Sequence, residues 1–427
     1  MRGEMMTQTP EADLEVALHA DAPPPKLLLP ALVLAAFGLY FASLTPQIVT
    51  LSIRIADIAP ADKTVALSTV ILIGAVLSIA TLPLFGALSD RTRSRFGRRR
   101  PWLVGGAALA LIGLAISGAV PSVAGVALGW ALASLGAGAA FAGFLPLIPE
   151  FVPDRLRARL SGLIGFVVSL AVLSGVFLGS ALVDQPLPML ALPGLVALGA
   201  TIFLGYVVRD ADRVSPEPFP RYTFHDFLNS YWLRTGGDRD FAWNWVSRLL
   251  IGLAYVGTQT YATFYLTDTA GLSIDDAAAK YATFTAISTP VSVVCFLLSG
   301  YLSDRLGRRK VFVVIGAIVL AAGLIVAAVT QSLTGFLIGW IILSIGQAIY
   351  LTVDIAIAAE VVPDEAHAGK AMSVYQVATL LPNVGAPLVA VAVLAVSGQD
   401  NYPAFFTVLA VLGVLSAVTV TFVRRIR

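Results

Sequence analysis

Twelve stretches of roughly twenty or more residues run along this chain with almost no charge in them, and they leave it few folds to adopt. They lie near 27–53, 64–88, 101–120, 123–149, 159–182 and 189–208, then near 241–267, 277–302, 310–329, 333–359, 370–397 and 403–423. An apolar run of that length matches the hydrocarbon core of a bilayer when it is helical. With 57% of 427 residues hydrophobic and 13% charged, the chain is no soluble globular protein, because soluble chains carry about twice that share of charge. The expected fold is an all-α polytopic membrane protein of twelve transmembrane helices. Pro46, Pro83, Pro146, Pro290, Pro382 and Pro387 fall inside the runs, where neighbouring helices can satisfy the carbonyls they free.

The runs come as six, a pause, and six. This divides the chain into an acidic, proline-ended tail over 1–26, read as disordered and uncleaved, a six-helix bundle over 27–208, a connection over 209–240 and a second bundle over 241–427. In the connection, Phe224, Phe227, Leu228, Tyr231 and Trp232 repeat at helical spacing, which predicts an amphipathic helix on the membrane surface. Arginine and lysine crowd into alternate loops: Arg91, Arg93, Arg95, Arg98, Arg99 and Arg100; Arg155, Arg157 and Arg159; Arg305, Arg308, Arg309 and Lys310; and Arg424, Arg425 and Arg427. Basic loops stay in the cytoplasm, so both termini are expected there.

The second six segments repeat the first in the same direction. Gly86-Ala87-Leu88-Ser89-Asp90-Arg91 recurs as Gly300-Tyr301-Leu302-Ser303-Asp304-Arg305, and Glu150-Phe151-Val152-Pro153-Asp154 as Glu360-Val361-Val362-Pro363-Asp364. Gly129-Trp130, Ser134 and Gly136 recur as Gly339-Trp340, Ser344 and Gly346. Two parallel six-helix repeats place a solute site between the halves, the plan of a transporter. One cysteine, Cys295, and three scattered histidines support neither a disulfide nor a metal site, and no phosphate loop or catalytic triad is present. Neither enzymatic chemistry nor a cofactor is expected. The net charge of +2 gives no attraction to nucleic acid.

The loop Gly-x-Leu-Ser-Asp-Arg followed by Gly-Arg-Arg, present after the second helix of each half, resembles the signature of the major facilitator superfamily. Its first copy continues Thr92-Arg93-Ser94-Arg95-Phe96-Gly97-Arg98-Arg99-Arg100-Pro101. This is similar to the sucrose:proton symporters of plants and their animal relatives, and more loosely to the glycoside–pentoside–hexuronide:cation symporters, as are Leu44-Thr45-Pro46, Leu381-Pro382 and Pro387. The resemblance implies the major facilitator fold and secondary transport of a sugar or glycoside. Phe144 holds the place in the fourth helix that matches Asp354 in the tenth, so the first-half carboxylate of the plant symporters has no counterpart here.

Two groups of residues carry the expected mechanism. At the cytoplasmic end, Asp90, Arg91, Gly97, Arg98, Arg99 and Glu150, with Asp304, Arg305, Arg308, Arg309 and Glu360, can form charge networks that latch one conformer. Within the membrane, Asp354 is the carboxylate whose burial demands a partner or a task. It either carries the coupling proton or stands permanently ionised against Arg248. The first helix offers a stripe of Tyr40, Ser43, Gln47, Thr50 and Arg54 expected to line the path. Tyr40, Gln47, Tyr255, Gln259, Gln347, Tyr350, Tyr375, Gln376 and Asn383 are the candidate solute contacts, since amides and phenols suit a neutral, hydroxyl-rich ligand. Phe141, Phe144 and Phe264 lining the cavity instead would favour apolar cargo. Tyr206 and Tyr402, near helix ends, are read as interfacial anchors. The expected function is proton-coupled symport of a sugar or glycoside by a monomer in a bacterial inner membrane, with proton-driven export of amphipathic compounds as the alternative.

Overall fold

The computed structural model describes residues 27–208, 239–360, 368–398 and 401–424. Among them all regular structure is helical, and twelve helices are eighteen residues or longer. They are α1 (Leu28–Ile58), α2 (Lys63–Arg91), α3 (Arg100–Ala119), α4 (Val123–Phe144), α5 (Asp154–Ala181) and α6 (Pro186–Val207). After the connection come α7 (Arg239–Asp268), α8 (Ile274–Leu306), α9 (Arg309–Thr330), α10 (Leu333–Glu360), α11 (Ala368–Ser397) and α12 (Tyr402–Thr421). A one-turn segment, Leu147–Phe151, sits between α4 and α5. The acidic tail over 1–26 and the amphipathic stretch of the connection lie outside the described residues, as do 361–367 with Pro363 and Asp364.

Eleven of the twelve are long and apolar enough to cross a membrane on their own. The exception is α7. Its 30 residues include Asn244, Ser247, Arg248, Thr258, Thr260 and Thr263, all buried. Polar groups lower the helix's own hydropathy, and packing against protein rather than lipid is what makes them tolerable.

Packing repeats as the sequence does. In the first six, α3 lies against α4 and α6, α2 against α4, and α1 against α5 and α6. In the last six, α9 lies against α10 and α12, α8 against α10, and α7 against α11 and α12. The two sets meet through α2 with α11 and α5 with α8, pairs that exchange under the same repeat, with α7 touching α1 beside them.

The recurring glycines explain why α3–α4 and α9–α10 pack so closely. A Cβ built on Gly136 in α4 would stand 2.3 Å from the backbone nitrogen of Ala110 in α3, and one on Gly346 in α10 would stand 2.3 Å from that of Leu320 in α9. In lipid no hydrophobic force drives helices together, so backbone-to-backbone contact through small residues supplies the attraction.

Helix α1 is interrupted by a π turn at Pro46–Thr50. Pro46 has no N–H to give, and the wider turn re-phases the helix beyond it. The straight-helix stripe expected on α1 therefore breaks. Tyr40, Ser43 and Gln47 keep accessible surface, whereas Thr50 and Arg54 are buried against protein.

Overpacking a tight contact of this kind destabilises by about 1–3 kcal/mol. Gly136→Val should therefore lower the thermal unfolding midpoint in detergent, read by fluorescence-detected gel filtration. Gly199→Ala, at a position with open space around it, should leave the midpoint within about 1 °C of the parent, a change under about 0.5 kcal/mol.

Candidate functional site

The buried charge lies where α7, α10 and α11 meet. Arg248 donates from Nη1 to Asp354 Oδ2 and from Nε to Thr379 Oγ1 at 2.9 Å. Asp354 is fully buried and Arg248 nearly so. The pair sits nine residues into α7 and six from the end of α10, in the half of both helices that leads to the arginine loops. Beside it a hydroxyl cluster ties three helices: Ser247 Oγ lies 2.9 Å from Tyr350 Oη and 2.9 Å from Ser416 Oγ, and the Ser416 hydroxyl donates back to the Ser247 carbonyl at 2.9 Å. Tyr350 is thus built into the α7–α10–α12 contact, with 1% of its surface exposed. That is a poor place for a solute contact.

Gln347 stands two turns before Asp354 on the same face of α10, and Trp340 two turns before that. The Gln347 carbonyl oxygen and the Trp340 indole nitrogen are both buried without a hydrogen-bond partner among the described residues. On α7, Gln259 donates to Tyr255 Oη at 2.8 Å, so this amide and phenol act as a unit. Asn383 gives a hydrogen bond to the Leu380 carbonyl at 3.3 Å, next to the point where Pro382 packs on Gly252 of α7. From the first half, Tyr40 meets Phe141 edge-on at 5.1 Å, and Gln47 lies in the π turn, half-buried. Phe144 and Phe264 are fully buried. Tyr375 and Gln376 lie in α11, and their side chains are outside the described set.

At the arginine-rich end, the first-half loop closes on itself. Arg99 Nη2 is 2.6 Å from Asp90 Oδ1 and 2.7 Å from Glu150 Oε1, its Nη1 donates to Ser89 Oγ at 3.0 Å, and Arg98 shares Glu150 at 2.7 Å. Burial alone would lower the Arg99 pKa. The hydrogen bond to Glu150 and the charges of Glu150 and Asp90 outweigh that and hold the guanidinium above its ordinary value. Gly97 turns the loop with φ of 93° and Gly307 ends α8 with φ of 60°, a region that favours glycine. In the second loop Arg305 donates to Tyr301 at 3.2 Å, and Arg308 is exposed at the start of α9, with Arg309 beside it. Arg91 ends α2. The side chains of Asp304 and Glu360 are outside the described set. A shallow groove of about 490 Å³ lies at this end, between Arg95, Phe96, Arg100, Gly205 and Tyr206, away from the buried pair.

The opposite end joins the two halves in a way that sequence reading missed. Lys63 at the start of α2 pairs with Asp268 at the end of α7 and rests 5.2 Å from the centre of the Phe264 ring. The next residue, Thr64, brings its Oγ1 to 2.7 Å from Tyr402 Oη, and a turn further on Ser68 Oγ meets Tyr261 Oη at 2.5 Å. Tyr402 is fully buried, so it is a bridge between halves and not an interfacial anchor, while Tyr206 is 72% exposed. The signal was present in the sequence as a lone lysine and a lone aspartate at matching ends of two helices. Arg54, expected in the path, bonds to Asp57 at 2.8 Å and to the Val120 carbonyl at 3.2 Å, and stays within the first half.

These observations, a doubled six-helix plan with signature loops and a polar seam between the halves, define a secondary transporter fold. The Major Facilitator Superfamily model matches residues 27–297 and 281–427, and the chain belongs to that superfamily. It is similar to the nucleoside transporter NupG, with a TM-score of 0.72 and 14% identity over 93% of this chain and 98% of that one. It is likewise similar to an inward-facing bacterial homologue of the human lysosomal transporter Spinster, with a TM-score of 0.69 and 15% identity over 94% of this chain and 95% of that one. At such identities the likeness is one of fold. Two curated relatives match over short stretches: the MFS-type efflux pump elcC of Phaeosphaeria nodorum, 40% identical over 80 residues, and the uncharacterized symporter sll1374 of Synechocystis sp., 53% identical over 38. Those stretches cover 18% and 9% of this chain, and 14% and 7% of the relatives' own lengths.

Substitutions at the two charged contacts test this geometry. Asp354→Ala takes its carboxylate away from the buried Arg248 guanidinium and should destabilise the protein by about 3–5 kcal/mol, whereas Arg248→Leu with Asp354→Leu should recover most of that loss; thermal unfolding of the three proteins decides. Lys63→Gln removes a pair worth about 1 kcal/mol and should shift the balance of conformers roughly fivefold toward opening at that end. Spin labels at Ala61 and Ala270 should then report a longer distance component, which charge reversal of Lys63 and Asp268 removes.

Proposed function

We propose that the protein is a proton-coupled symporter of a polar, hydroxyl-bearing solute of the sugar or glycoside class, working by alternating access. The observation that carries this reading is the buried Arg248–Asp354 pair, placed within reach of a polar α7–α10–α11 seam. A carboxylate in such surroundings gains most from neutralisation when its cation is drawn elsewhere, so one conformer takes up a proton that the other releases. The character of the seam supports a polar solute: Tyr40, Gln47, Tyr255, Gln259, Gln347 and Asn383 keep accessible surface, and of the three phenylalanines Phe144 and Phe264 are sunk in the core while Phe141 keeps accessible surface beside Tyr40.

The two bundles, 27–208 and 241–427 with the 209–240 connection between them, act as the rocking bodies. Their Lys63–Asp268, Thr64–Tyr402 and Ser68–Tyr261 contacts close the outer end in the conformer described. Arg98, Arg99, Asp90 and Glu150 are already joined within the first half in this conformer, and against Asp304, Arg305, Arg308, Arg309 and Glu360 of the second half they are the face that latches in the other. The basic loops support a reading with both termini in the cytoplasm, and a bacterial inner membrane and a monomeric working unit complete it. The short match to an efflux pump keeps proton-driven export as the second reading.

Uptake of labelled sucrose, maltose and aryl glucosides into proteoliposomes separates the two. An inward proton gradient should drive accumulation in the parent, and Asp354→Asn should reduce it at least tenfold. Absence of sugar uptake in vesicles that still move a lipophilic cation against protons would establish the exporter instead.

A further inference from the structure

Away from the buried seam, a groove joins the α2–α3 loop to the last turn of α6. It holds about 490 Å³ between Arg95, Phe96, Arg100, Gly205 and Tyr206, a volume within the range of about 300–1,000 Å³ that ligand sites occupy. Arg95 is exposed and lies over the exposed Phe96 ring, 4.6 Å from its centre. A guanidinium stacked by its face keeps its N–H edge for an oxyanion. Arg100, the first residue of α3, reaches the same space. Gly205 keeps the floor open: among the described residues, a Cβ built there would meet Val104 Cγ2 alone, at 3.6 Å. The carboxylates that neighbour these loops in sequence cannot cancel their charge. Positions 90–100, 150–159 and 209–213 hold eleven arginines against five carboxylates, and two of the five, Asp90 and Glu150, already serve Arg98 and Arg99. However the other arginines share the remaining three, a surplus of cation stays.

A second feature continues from the groove into the apolar zone. Leu195, Gly199, Ile202 and Tyr206 follow one another at i, i+4, i+7 and i+11 on α6, and all four are exposed, so they form one stripe along the helix. It runs about 16 Å, close to half of a hydrocarbon core about 30 Å thick. Tyr206 stands where stripe and groove meet, and exposed aromatic rings at helix ends mark the depth of the lipid headgroups. We propose that the groove is a binding site for an anionic phospholipid, with the phosphate between Arg95 and Arg100 and one acyl chain along the α6 stripe. Arginine forks suit phosphate oxygens, and the surplus of cation disfavours the choline or ammonium of a zwitterionic headgroup. The stripe selects a lipid over a free phosphate. Both contacts belong to the first bundle, so a bound lipid fastens the loop that carries Asp90, Arg98 and Arg99 to α6 without bridging the two bundles. The site is independent of which solute is carried.

Native mass spectrometry of the detergent-purified full-length protein tests this, with dioleoyl phosphatidylglycerol and dioleoyl phosphatidylcholine as probes. In the parent, the first phosphatidylglycerol should bind about tenfold more tightly than phosphatidylcholine. Arg95→Gln, at an exposed position where folding is not at risk, should weaken that first phosphatidylglycerol about fivefold. Gly205→Leu fills the groove and leaves every charge in place, and it should weaken binding by a similar factor with the unfolding midpoint recorded alongside. Arg308→Gln removes one exposed charge from the matching loop of the second half and should change the affinity less than about twofold. Inorganic phosphate at the lipid's own concentration should leave the lipid bound. Equal affinity for the two lipids overturns the proposal. So does weakening by Arg95→Gln and Arg308→Gln alike, which marks diffuse attraction to a basic face. Displacement by inorganic phosphate overturns it as well and gives the groove to a free anion. Should Gly205→Leu fail to fold, the contrast between Arg95→Gln and Arg308→Gln decides.

Discussion

Every backbone amide inside a bilayer must find its partner within the protein, and the rest of this structure follows from that constraint. It selects helices, and it makes any side chain that brings polarity into the interior answer to its neighbours. The chain responds in two ways. Most spans are apolar throughout and meet through glycine, as α3 meets α4 and α9 meets α10. One helix, α7, is polar enough to fail as a free-standing span, and it carries the charged and hydroxyl contacts that tie the second half together: Arg248 to Asp354 and Thr379, and Ser247 to Tyr350 and Ser416.

The asymmetry between the halves has chemical meaning. The backbone packing is duplicated, helix pair for helix pair, but the buried ion pair is not, because Phe144 fills the place in α4 that Asp354 holds in α10.

Much of the architecture was legible in the sequence because its signals are long. Runs of twenty apolar residues, alternate arginine loops and a repeat across more than two hundred residues survive any local exception. The buried pair was legible for the same reason: a lone carboxylate among apolar residues names itself, and Arg248 was the cation within reach. The failures were local. The Tyr40-to-Arg54 stripe assumed 3.6 residues per turn, and the π turn at Pro46–Thr50 changes the phase. Tyr402 looked like a membrane-surface tyrosine because its depth and its partner Thr64, 338 positions earlier, are tertiary facts. Tyr350 has a side chain that suits a ligand, yet its hydroxyl is taken by Ser247, which composition does not reveal.

The π turn in α1 has a consequence for how the first half can change over evolutionary time. It stores one more residue than a straight helix of the same length requires. Losing a single residue within Pro46–Thr50 would let the turn relax to ordinary α-helix with the residues beyond it still facing as they do, whereas losing one elsewhere in α1 would rotate them by about 100° and carry the Arg54 guanidinium off the protein-facing side. The turn is therefore the place in the first helix where chain length can change by one residue without redrawing the faces on either side of it.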